Sequence, residues 1–284
     1  MSIDLNESLQ ALRKWQKDES RVQLHPGDIG WYTRNGQKAT TNAIRNWFRD
    51  GEIVAIGLLD GANLLRLAIA PQAQNDLELA QQMAEDISQP DHGILPKGEV
   101  FVEARTGDLL NKILIDRGWQ TDDPWTPLNF DLSQPIEKSK LHVEIVGSEN
   151  VDTRCAVQRA SFVGSTFTKE KWHAMANSPT YDDARCLLVY DDSKNAVATA
   201  TVWSAGQGRP GLIEPLGVHQ NHRGKGYGKE VTLACLEVLK KLGSSSAIVC
   251  TISSNVAAVA TYKSAGFKEL PRVYDLSRVG ASSN

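Results

Sequence analysis

The chain has 284 residues, enough for one large domain or two ordinary ones, and its 41% apolar and 23% charged residues are typical of a globular protein. Its net charge of −3 provides no general attraction to nucleic acid or to anionic membranes. No apolar run approaches the roughly 20 residues of a membrane-spanning helix, and the polar N-terminus has no signal-peptide core. We therefore expect a cytoplasmic protein without a nucleic-acid or membrane partner.

The four cysteines show neither a CxxC pair nor a Cys/His spacing suited to a metal, and at least three lie in apolar segments. They are Cys155, Cys186, Cys235 and Cys250. We expect buried thiols without disulfides, and no metal site.

The first half alternates helical and strand patterns. Apolar spacing predicts helices over "LQALRKWQ", "NAIRNWFRD", "DLELAQQMAEDIS" and "LLNKILIDRGW", the last ended by Gly118. Apolar runs predict strands at "IVAIGLL", "LLRLAIAP" and "EVFVEA".

The second half repeats this order. A strand at "HVEIV" precedes helices at "VDTRCAVQRASFV" and "KEKWHAMANS", followed by a hairpin of "RCLLVYDD" and "AVATATVW". Then come the strand "LIEPLGVH", a glycine-rich turn, a helix, the strand "AIVCTIS", and the helix "NVAAVATYKSAGF" with Gly266 as its cap.

Two landmarks indicate that the halves are a tandem repeat. The segment "LAIAPQAQNDLEL" aligns without a gap to "LGVHQNHRGKGYG" at an offset of 149 (67 against 216), and "IDRGW" aligns to "KSAGF" at an offset of 148 (118 against 266). The polar stretch "DLSQPIEKSK" separates them. We predict two domains, residues 1–138 and residues 139–284.

Three alternate glycines mark an anion site in the second half. Gly224, Gly226 and Gly228 follow a strand and open an amphipathic helix, where free N–H groups and the helix dipole attract a phosphate. A plain glycine-rich turn is the alternative. The Walker A pattern fails because Glu230 follows Lys229, and the dinucleotide pattern fails because Lys229 stands at the third glycine position.

The pattern that fits is Arg-x-x-Gly-x-Gly, from Arg223 to Gly228, after a strand in which Leu216 and Val218 alternate. It resembles the coenzyme-A-binding motif of the GNAT superfamily of acyl-CoA-dependent N-acyltransferases. A second resemblance to that family is Asn-x-x-Ala-x-x-x-Tyr-x-x-x-Gly-Phe, at Asn255, Ala258, Tyr262, Gly266 and Phe267. The resemblance covers the second half, and the tandem arrangement is similar to mycothiol synthase in architecture only.

This resemblance implies an α/β fold: two tandem GNAT folds, each a mostly antiparallel mixed sheet with a splayed cofactor-binding strand flanked by helices. It also implies that acetyl-CoA is the cofactor. The strand from Leu216 through Gly217 to Val218 would pair with the pantetheine arm and acetyl carbonyl. The pyrophosphate would be held by the amides of Arg223, Gly224, Lys225, Gly226, Tyr227, Gly228 and Lys229.

On the second motif's helix, Asn255, Ala258 and Tyr262 share a face, which we expect to pack against the cofactor. The alternatives are that Asn255 is an ordinary N-cap and that Tyr262 is a core aromatic. For Arg223 the alternative is a solvated surface charge, and for Gly217 a strand bulge.

Transfer of an acetyl group to an amine requires a base, because an alkyl ammonium with a pKa of about 10 is protonated at neutral pH. Glu214 lies two residues before Leu216, so both side chains share a sheet face near the expected acetyl group. We predict that Glu214 is the general base; the alternative is an ordinary solvated carboxylate on the strand. Tyr262 resembles the family's tyrosine near the coenzyme sulfur and is the predicted general acid. We expect His219 and His222 to contact the loop or the phosphates.

The first half lacks these groups. At the offset of 149, Gln74 replaces Arg223, and Asn75, Leu77 and Leu79 replace the glycines. Asp76 and Glu78 place negative charge where a pyrophosphate would bind, while Leu65 and Leu114 stand at the positions of Glu214 and Tyr262. We expect a first domain that keeps the fold, has lost the cofactor, and shapes the amine pocket.

The sequence thus predicts an N-acetyltransferase that moves the acetyl group of acetyl-CoA to a primary amine of a small molecule. The alternative is a catalytically inactive acyl-CoA-binding regulatory protein. The early helices of the second half are expected near the acceptor, where Trp172, Tyr181 and Asp182 are candidate lining residues, with packing or surface positions as the alternative.

Overall fold

The computed structural model describes residues 4–279. The elements of the first half are α1 (Leu5–Trp15), α2 (Pro26–Tyr32), α3 (Gln37–Ala43), β1 (Ile44–Arg49), β2 (Glu52–Leu59), β3 (Leu64–Ile69), α4 (Leu77–Ser88), β4 (Val100–Glu103), α5 (Asp108–Asp116) and β5 (Gln120–Asp131). Those of the second half are β6 (His142–Ile145), α6 (Val151–Ser161), α7 (Lys169–Ala176), β7 (Ala184–Tyr190), β8 (Ala196–Ser204), β9 (Gly211–Val218), α8 (Tyr227–Lys241), β10 (Ser246–Ile252), α9 (Val256–Ser264), β11 (Lys268–Glu269) and β12 (Val273–Arg278).

The repeat is visible in these bounds. Both ends of α5 fall 148 residues before the ends of α9 (108 against 256, and 116 against 264). Helices α4 and α8 each follow a central strand, β3 and β9. The predicted strands and helices are confirmed with one exception.

That exception is "NAIRNWFRD": only Asn42 and Ala43 are helical, as the end of α3, and Ile44–Arg49 forms strand β1. Its apolar residues have helical spacing, but the segment pairs with β2 along its whole length, from Ile44 opposite Leu58 to Arg49 opposite Glu52. A bulge between Trp47 and Phe48 shifts the register, and Phe48 is 42% exposed. Sheet pairing therefore overrides a local apolar spacing that does not mark a buried helix face.

Among residues 4–279, twelve strands form one continuous mixed sheet in the order β1-β2-β3-β4-β12-β5-β10-β9-β8-β7-β6, with β11 paired to β5. Neighbours are antiparallel except for β3 with β4 and β9 with β10. The predicted α/β fold with a mostly antiparallel sheet is confirmed, but the two halves share a single sheet.

The halves exchange their last strands. Strand β12, at the end of the second half, lies between β4 and β5 and pairs with both. Strand β5, at the end of the first half, pairs with β10 from Trp125 to Asp131. The predicted boundary at residues 138 and 139 falls between β5 and β6. The division into 1–138 and 139–284 stays a prediction, and each segment would lack a strand that its sheet uses.

The hydrophobic cores follow the same exchange. Leu276 of β12 is 3% exposed and packs in the core of the first half. Leu128 and Phe130 of β5 pack in the core of the second half, with Val231 and Leu239 of α8. Burial of apolar surface therefore holds the last strand of each half to the other half.

Helix α2 of the first half also packs on the second half, against Trp203 of β8. A Cβ atom on Gly30 would lie 2.3 Å from Cζ3 of the Trp203 ring, so only glycine admits this approach. The indole Nε1 donates to the backbone oxygen of Glu214 at 2.7 Å. Trp203, which is 1% exposed, therefore links the first half to the strand of the predicted base.

Within residues 4–279, none of the helices combines the length and apolar character needed to cross a membrane. All four cysteines are free thiols, and three of them are buried.

Candidate active site

Strands β9 and β10 part after two residue pairs, Gly211 with Ala247 and Leu212 with Ile248. The opposite edge of β9 stays paired to β8 as far as Val218 opposite Ala198. The edge of β9 that faces β10 therefore opens beyond Leu212, and its backbone groups can bond an extended ligand. This opening includes Leu216, Gly217 and Val218, the predicted pantetheine strand.

Gly217 is needed for packing behind this opening. A Cβ atom there would lie 2.6 Å from Cβ of Ser161 and 2.7 Å from the Phe162 ring. The end of α6 therefore lies directly on the backbone of β9. No bulge occurs at Gly217 itself, because the register shift between β8 and β9 lies between Ala200 and Val202.

The three alternate glycines have two different roles. Gly224 and Gly226 have φ angles of 77° and 82°, which only glycine adopts without strain. Gly228 lies in the first turn of α8, where a Cβ atom would be 2.8 Å from the Thr261 side chain of α9. The first two therefore shape the loop, and the third brings α8 and α9 together.

The amides from Gly224 to Gly228 donate to no protein acceptor within residues 4–279. They precede or open α8, a helix of 15 residues whose dipole adds positive potential at this end. This cluster of free donors fits a pyrophosphate group.

Two basic side chains beside the loop are engaged elsewhere. Arg223 donates through Nη2 to the backbone oxygen of Ser161 at 2.7 Å, and Lys229 Nζ contacts Glu137 at 2.7 Å. Arg223 therefore fastens the loop to the end of α6. An anion here would be held mainly by backbone amides. His219 and His222 pack edge to face beside the loop, with ring centroids 5.2 Å apart.

Helix α9 presents the second motif to the same opening. Asn255 is its N-cap and accepts from the Ala258 amide at 3.2 Å, so the ordinary capping role is present. Asn255, Ala258 and Tyr262 nevertheless all line one cavity with Leu216 and Glu214. The Tyr262 ring packs against Phe267, with centroids 5.7 Å apart. One face of α9 is thus open to a ligand.

The cavity has a volume of about 400 Å³ and lies between the two halves. The second half contributes the end of β9 and the face of α9, together with Phe162. The first half contributes charged side chains that sequence analysis did not single out: Asp28, Asp60, Arg66, Glu103 and Arg105. Asp275 of the exchanged strand β12 adds another carboxylate.

Arg66 is the centre of this charged group. Its guanidinium lies 3.0 Å from Asp28, 3.2 Å from Glu103, 3.4 Å from Asp60 and 3.7 Å from Glu214. These carboxylates raise the pKa of Arg66 well above its ordinary value, although burial opposes the charge. Arg66 therefore stays charged and connects the first half to Glu214.

A second pair of ionic contacts extends the network. Arg105 lies 3.2 Å from Glu103 and 3.5 Å from Asp275. Burial and the negative charge of Glu103 raise the pKa of Asp275 to about 6, against the opposing effect of Arg105.

The environment of Glu214 suits a base. Desolvation in the cavity raises the pKa of its carboxyl to about 8; Arg66 lowers this pKa, while Asp28 and Asp60 raise it. Its side chain is still 32% exposed, so a substrate can reach it. A carboxyl whose pKa is near neutrality can take a proton from a substrate and release it again.

Burial also raises the pKa of the Tyr262 hydroxyl, with further contributions from Cys235, Glu214 and Cys250. Tyr262 therefore stays protonated at neutral pH, as a weaker acid than an exposed tyrosine. Cys250 lines the same cavity, but desolvation raises its pKa to about 12, so it is not a ready nucleophile.

The corresponding groove of the first half is filled by the chain itself. Leu24 donates its amide to the backbone oxygen of Leu67, the residue that aligns with Leu216, at 3.3 Å. At the start of α4, Asp76 accepts from the Leu79 amide at 2.9 Å. A segment of protein and a carboxylate thus take the places where the second half has an open strand edge and free amides.

Trp172 and Tyr181, named as candidate acceptor-site residues, are packing residues instead. Trp172 is 7% exposed and stacks edge-on with Tyr181, which in turn contacts Trp203. Phe162, at the end of α6, lines the cavity in their place. The missed charged residues did leave a signal: Arg66 interrupts and Glu103 ends a strand that is otherwise apolar.

Residues 155–267 match the profile of the family described as Acetyltransferase (GNAT) family. A mycothiol acetyltransferase of Renibacterium salmoninarum is 40% identical over 93 residues, which cover 31% of this chain and 27% of that protein. The alignment thus spans about a quarter of this curated relative's length.

Solved structures are similar over nearly the whole chain. A GNAT-family acetyltransferase of Colwellia psychrerythraea has a TM-score of 0.60 at 16% identity, covering 98% of each chain. A tandem GNAT protein of the clavulanic acid biosynthesis pathway has a TM-score of 0.59 at 14% identity, covering 98% of this chain and 94% of its own. Residues 155–267 are therefore similar to the GNAT acetyltransferase family, and the fold of nearly the whole chain is similar to that of tandem GNAT proteins.

Proposed function

We propose that the chain is an N-acetyltransferase that moves the acetyl group of acetyl-CoA to a primary amine of a small molecule. The observation that carries the proposal is the meeting of three features in one place. An open strand edge, a loop of free amides and a carboxyl with a pKa near neutrality border the same opening.

The open edge of β9 and the face of α9 would hold the pantetheine arm. Leu216, Gly217 and Val218 offer backbone groups, and Asn255 and Ala258 lie across the opening. The amides from Gly224 to Gly228 would hold the pyrophosphate, with the flanking amides of Arg223 and Lys229 at the ends of the loop. When bound, acetyl-CoA supplies an acetyl thioester as the group to be transferred.

Glu214 is the proposed general base. An acceptor amine arrives as an ammonium, because its pKa is about 10, and it must lose a proton before its nitrogen can attack. The Glu214 carboxylate takes that proton, directly or through a water molecule. The new N–C bond would then replace the C–S bond, and Tyr262 would donate the proton that converts the departing sulfur to a thiol. The nitrogen loses a second proton as the amide forms, and that proton would restore the Tyr262 hydroxyl.

The first half is proposed to bind no cofactor. Its groove is closed by Leu24, whose amide donates to Leu67 of β3, and by Asp76 at the start of α4. Leu65 and Leu114, at the positions of Glu214 and Tyr262, are fully buried. Its proposed role is to supply the wall of the acceptor cavity, through Arg66 and its carboxylate partners.

The test is release of the coenzyme A thiol from acetyl-CoA by the purified chain across a panel of primary amines, with mass spectrometry of the amine product. We expect amine-dependent thiol release and an N-acetylated product. Tight acetyl-CoA binding without turnover of any amine would contradict the proposal and favour an inactive acyl-CoA-binding protein.

A further inference from the structure

The cavity wall contributed by the first half has more negative than positive groups. Five carboxylates line the cavity, those of Asp28, Asp60, Glu103, Glu214 and Asp275, together with the two guanidiniums of Arg66 and Arg105. Arg34 lies beside the cavity, and its positive charge interacts electrostatically with the carboxylates of Asp60 and Glu214. Its guanidinium lies 4.4 Å from the centre of the Trp31 ring.

Pairing the reacting ammonium with Glu214 leaves four carboxylates against three guanidiniums. Each of the four carboxylates faces a guanidinium, but the wall then carries one net negative charge. A net charge in a partly desolvated wall is costly unless a cation joins it. The reacting nitrogen cannot be that cation, because it must be neutral to attack. The charge balance therefore calls for a second positive group on the acceptor.

Glu103 marks the place for that group. The residue is 4% exposed and lines the cavity; its Oε2 atom contacts both Arg66 and Arg105 at 3.2 Å. Its other oxygen, Oε1, is buried and has no hydrogen-bond partner among residues 4–279. A buried carboxylate oxygen without a donor is expensive. Because Oε1 has almost no accessible surface, a cation in the cavity would compensate the Glu103 charge from beside the carboxylate rather than bond Oε1 directly.

An anionic group on the acceptor is disfavoured by the same contacts. The donors of Arg66 already face Asp28, Asp60, Glu103 and Glu214, and those of Arg105 face Glu103 and Asp275. A carboxylate or phosphate on the ligand would have to displace one of these partners and would add to the negative surplus. The wall thus selects against amino acids and sugar phosphates.

We propose that the acceptor is a small dication: a primary amine that presents one nitrogen to Glu214 and a second cationic group to Glu103 and its neighbouring carboxylates. This inference rests on the proposed function, because the bound amine is an acceptor only if the chain transfers an acetyl group. The cation-binding wall itself is independent of turnover. Aliphatic diamines and guanidino-amines share the required chemistry.

The experiment is calorimetric titration of the full chain, saturated with coenzyme A, with matched ligands at equal ionic strength. The dications are 1,3-diaminopropane, 1,4-diaminobutane, 1,5-diaminopentane and 4-guanidinobutylamine; the monocation is 1-aminobutane, and the zwitterion is 4-aminobutanoate. We expect at least one dication to bind about tenfold or more tightly than 1-aminobutane, and the zwitterion to bind more weakly than either. Comparing the diamines with the guanidino-amine shows whether the site prefers an ammonium or a guanidinium as the second cation.

The Glu103→Gln variant should reduce the ratio of dication to monocation affinity by about fivefold or more, because the amide keeps the shape and removes the charge. Glu52→Gln, an exposed change on β2 of the same half, is the matched control and should keep the ratio. Should Glu103→Gln fail to fold, Asp60→Asn serves instead, since that side chain is 30% exposed and contacts Arg66.

Equal affinity for monocations and dications, or tightest binding of the zwitterion, would overturn the inference. Thiol-release assays with the same ligands separate it from the proposed function. Dication binding without thiol release would contradict acetyl transfer and support the cation site. Equal turnover of 1-aminobutane and the diamines would contradict the cation site and support acetyl transfer.

Discussion

Arg66 of the first half lies 3.7 Å from Glu214 of the second half, measured from Nη1 to Oε1. The two residues are on different strands, β3 and β9, of a sheet that runs through both halves. The first half therefore contributes directly to the electrostatics of the proposed base. A half without cofactor motifs still takes part in the candidate active site.

This contact predicts a specific pH dependence. Glu214 acts as a base only when it is deprotonated. We therefore expect kcat/KM to be low below pH 8 and to increase as the pH rises through an apparent pKa of about 8. Arg66→Gln removes a cation that lowers this pKa, so the rising limb should move to higher pH by about one unit. The amine's own ionisation near pH 10 is common to both proteins.

Arg66→Lys is the matched control, because it keeps a positive charge beside Glu214. Its rising limb should lie closer to that of the wild type than to that of Arg66→Gln. A limb that stays in place in Arg66→Gln would show that Arg66 has no influence on the titrating group.

The glycine loop predicts a loss of cofactor binding that is separate from stability. Gly226→Ala forces a side chain into a φ of 82°, which costs about 1 kcal/mol of folding free energy. Gly51→Ala, in the turn between β1 and β2, imposes the same φ of 82° in equally open space. Both variants should lose similar stability in thermal melts.

Only Gly226→Ala should weaken coenzyme A binding, because its strain distorts the free amides before α8. Equal coenzyme A affinity in the two variants, measured by calorimetry, would argue against a phosphate-binding role for the loop.

The filled groove of the first half predicts one acetyl-CoA per chain. Leu24 bonds β3 where a pantetheine arm would lie, and Asp76 bonds the first turn of α4 where a pyrophosphate would lie. Calorimetric titration with acetyl-CoA should give a stoichiometry of one. Two sites of similar affinity would refute the assignment of the cofactor to the second half alone.

The exchanged strands predict that the two halves stay associated after the chain is cut. A protease site inserted between Ser133 and Gln134, both exposed in the connection between β5 and β6, allows cleavage of the folded protein. The fragments should elute together in gel filtration, because β5 and β12 each pair with and pack in the other half. They should separate only in denaturant, with the uncut protein as reference. Separation in native buffer would contradict the exchange.

Much of the fold was predictable because local patterns and global packing agree. The central strands, the helices that follow them and the repeat offset all come from apolar periodicity and from glycine at helix ends. The strand exchange was not predictable, because the sequence predicted no strand at β5 or β12, and local spacing does not specify which strand a segment pairs with. The wrong helix at Ile44–Arg49 arose where pairing with β2 competed with local spacing.

The candidate site was predictable where it depends on local backbone chemistry. The glycine loop, the strand before it and the face of α9 occupy short segments whose geometry follows from spacing. The charged wall depends on contacts between residues far apart in the chain, such as Asp28 with Arg66 and Glu103 with Arg105. Only tertiary packing brings these groups together.

The most direct test of the account is the rate of amine-dependent thiol release in Glu214→Gln, with Glu52→Gln as control. We expect Glu214→Gln to lower kcat by about 100-fold or more while acetyl-CoA affinity is kept, because the amide cannot accept the proton. Tyr262→Phe should reduce kcat through loss of the proton donor. Full activity in Glu214→Gln would contradict a site in which this carboxylate is the base.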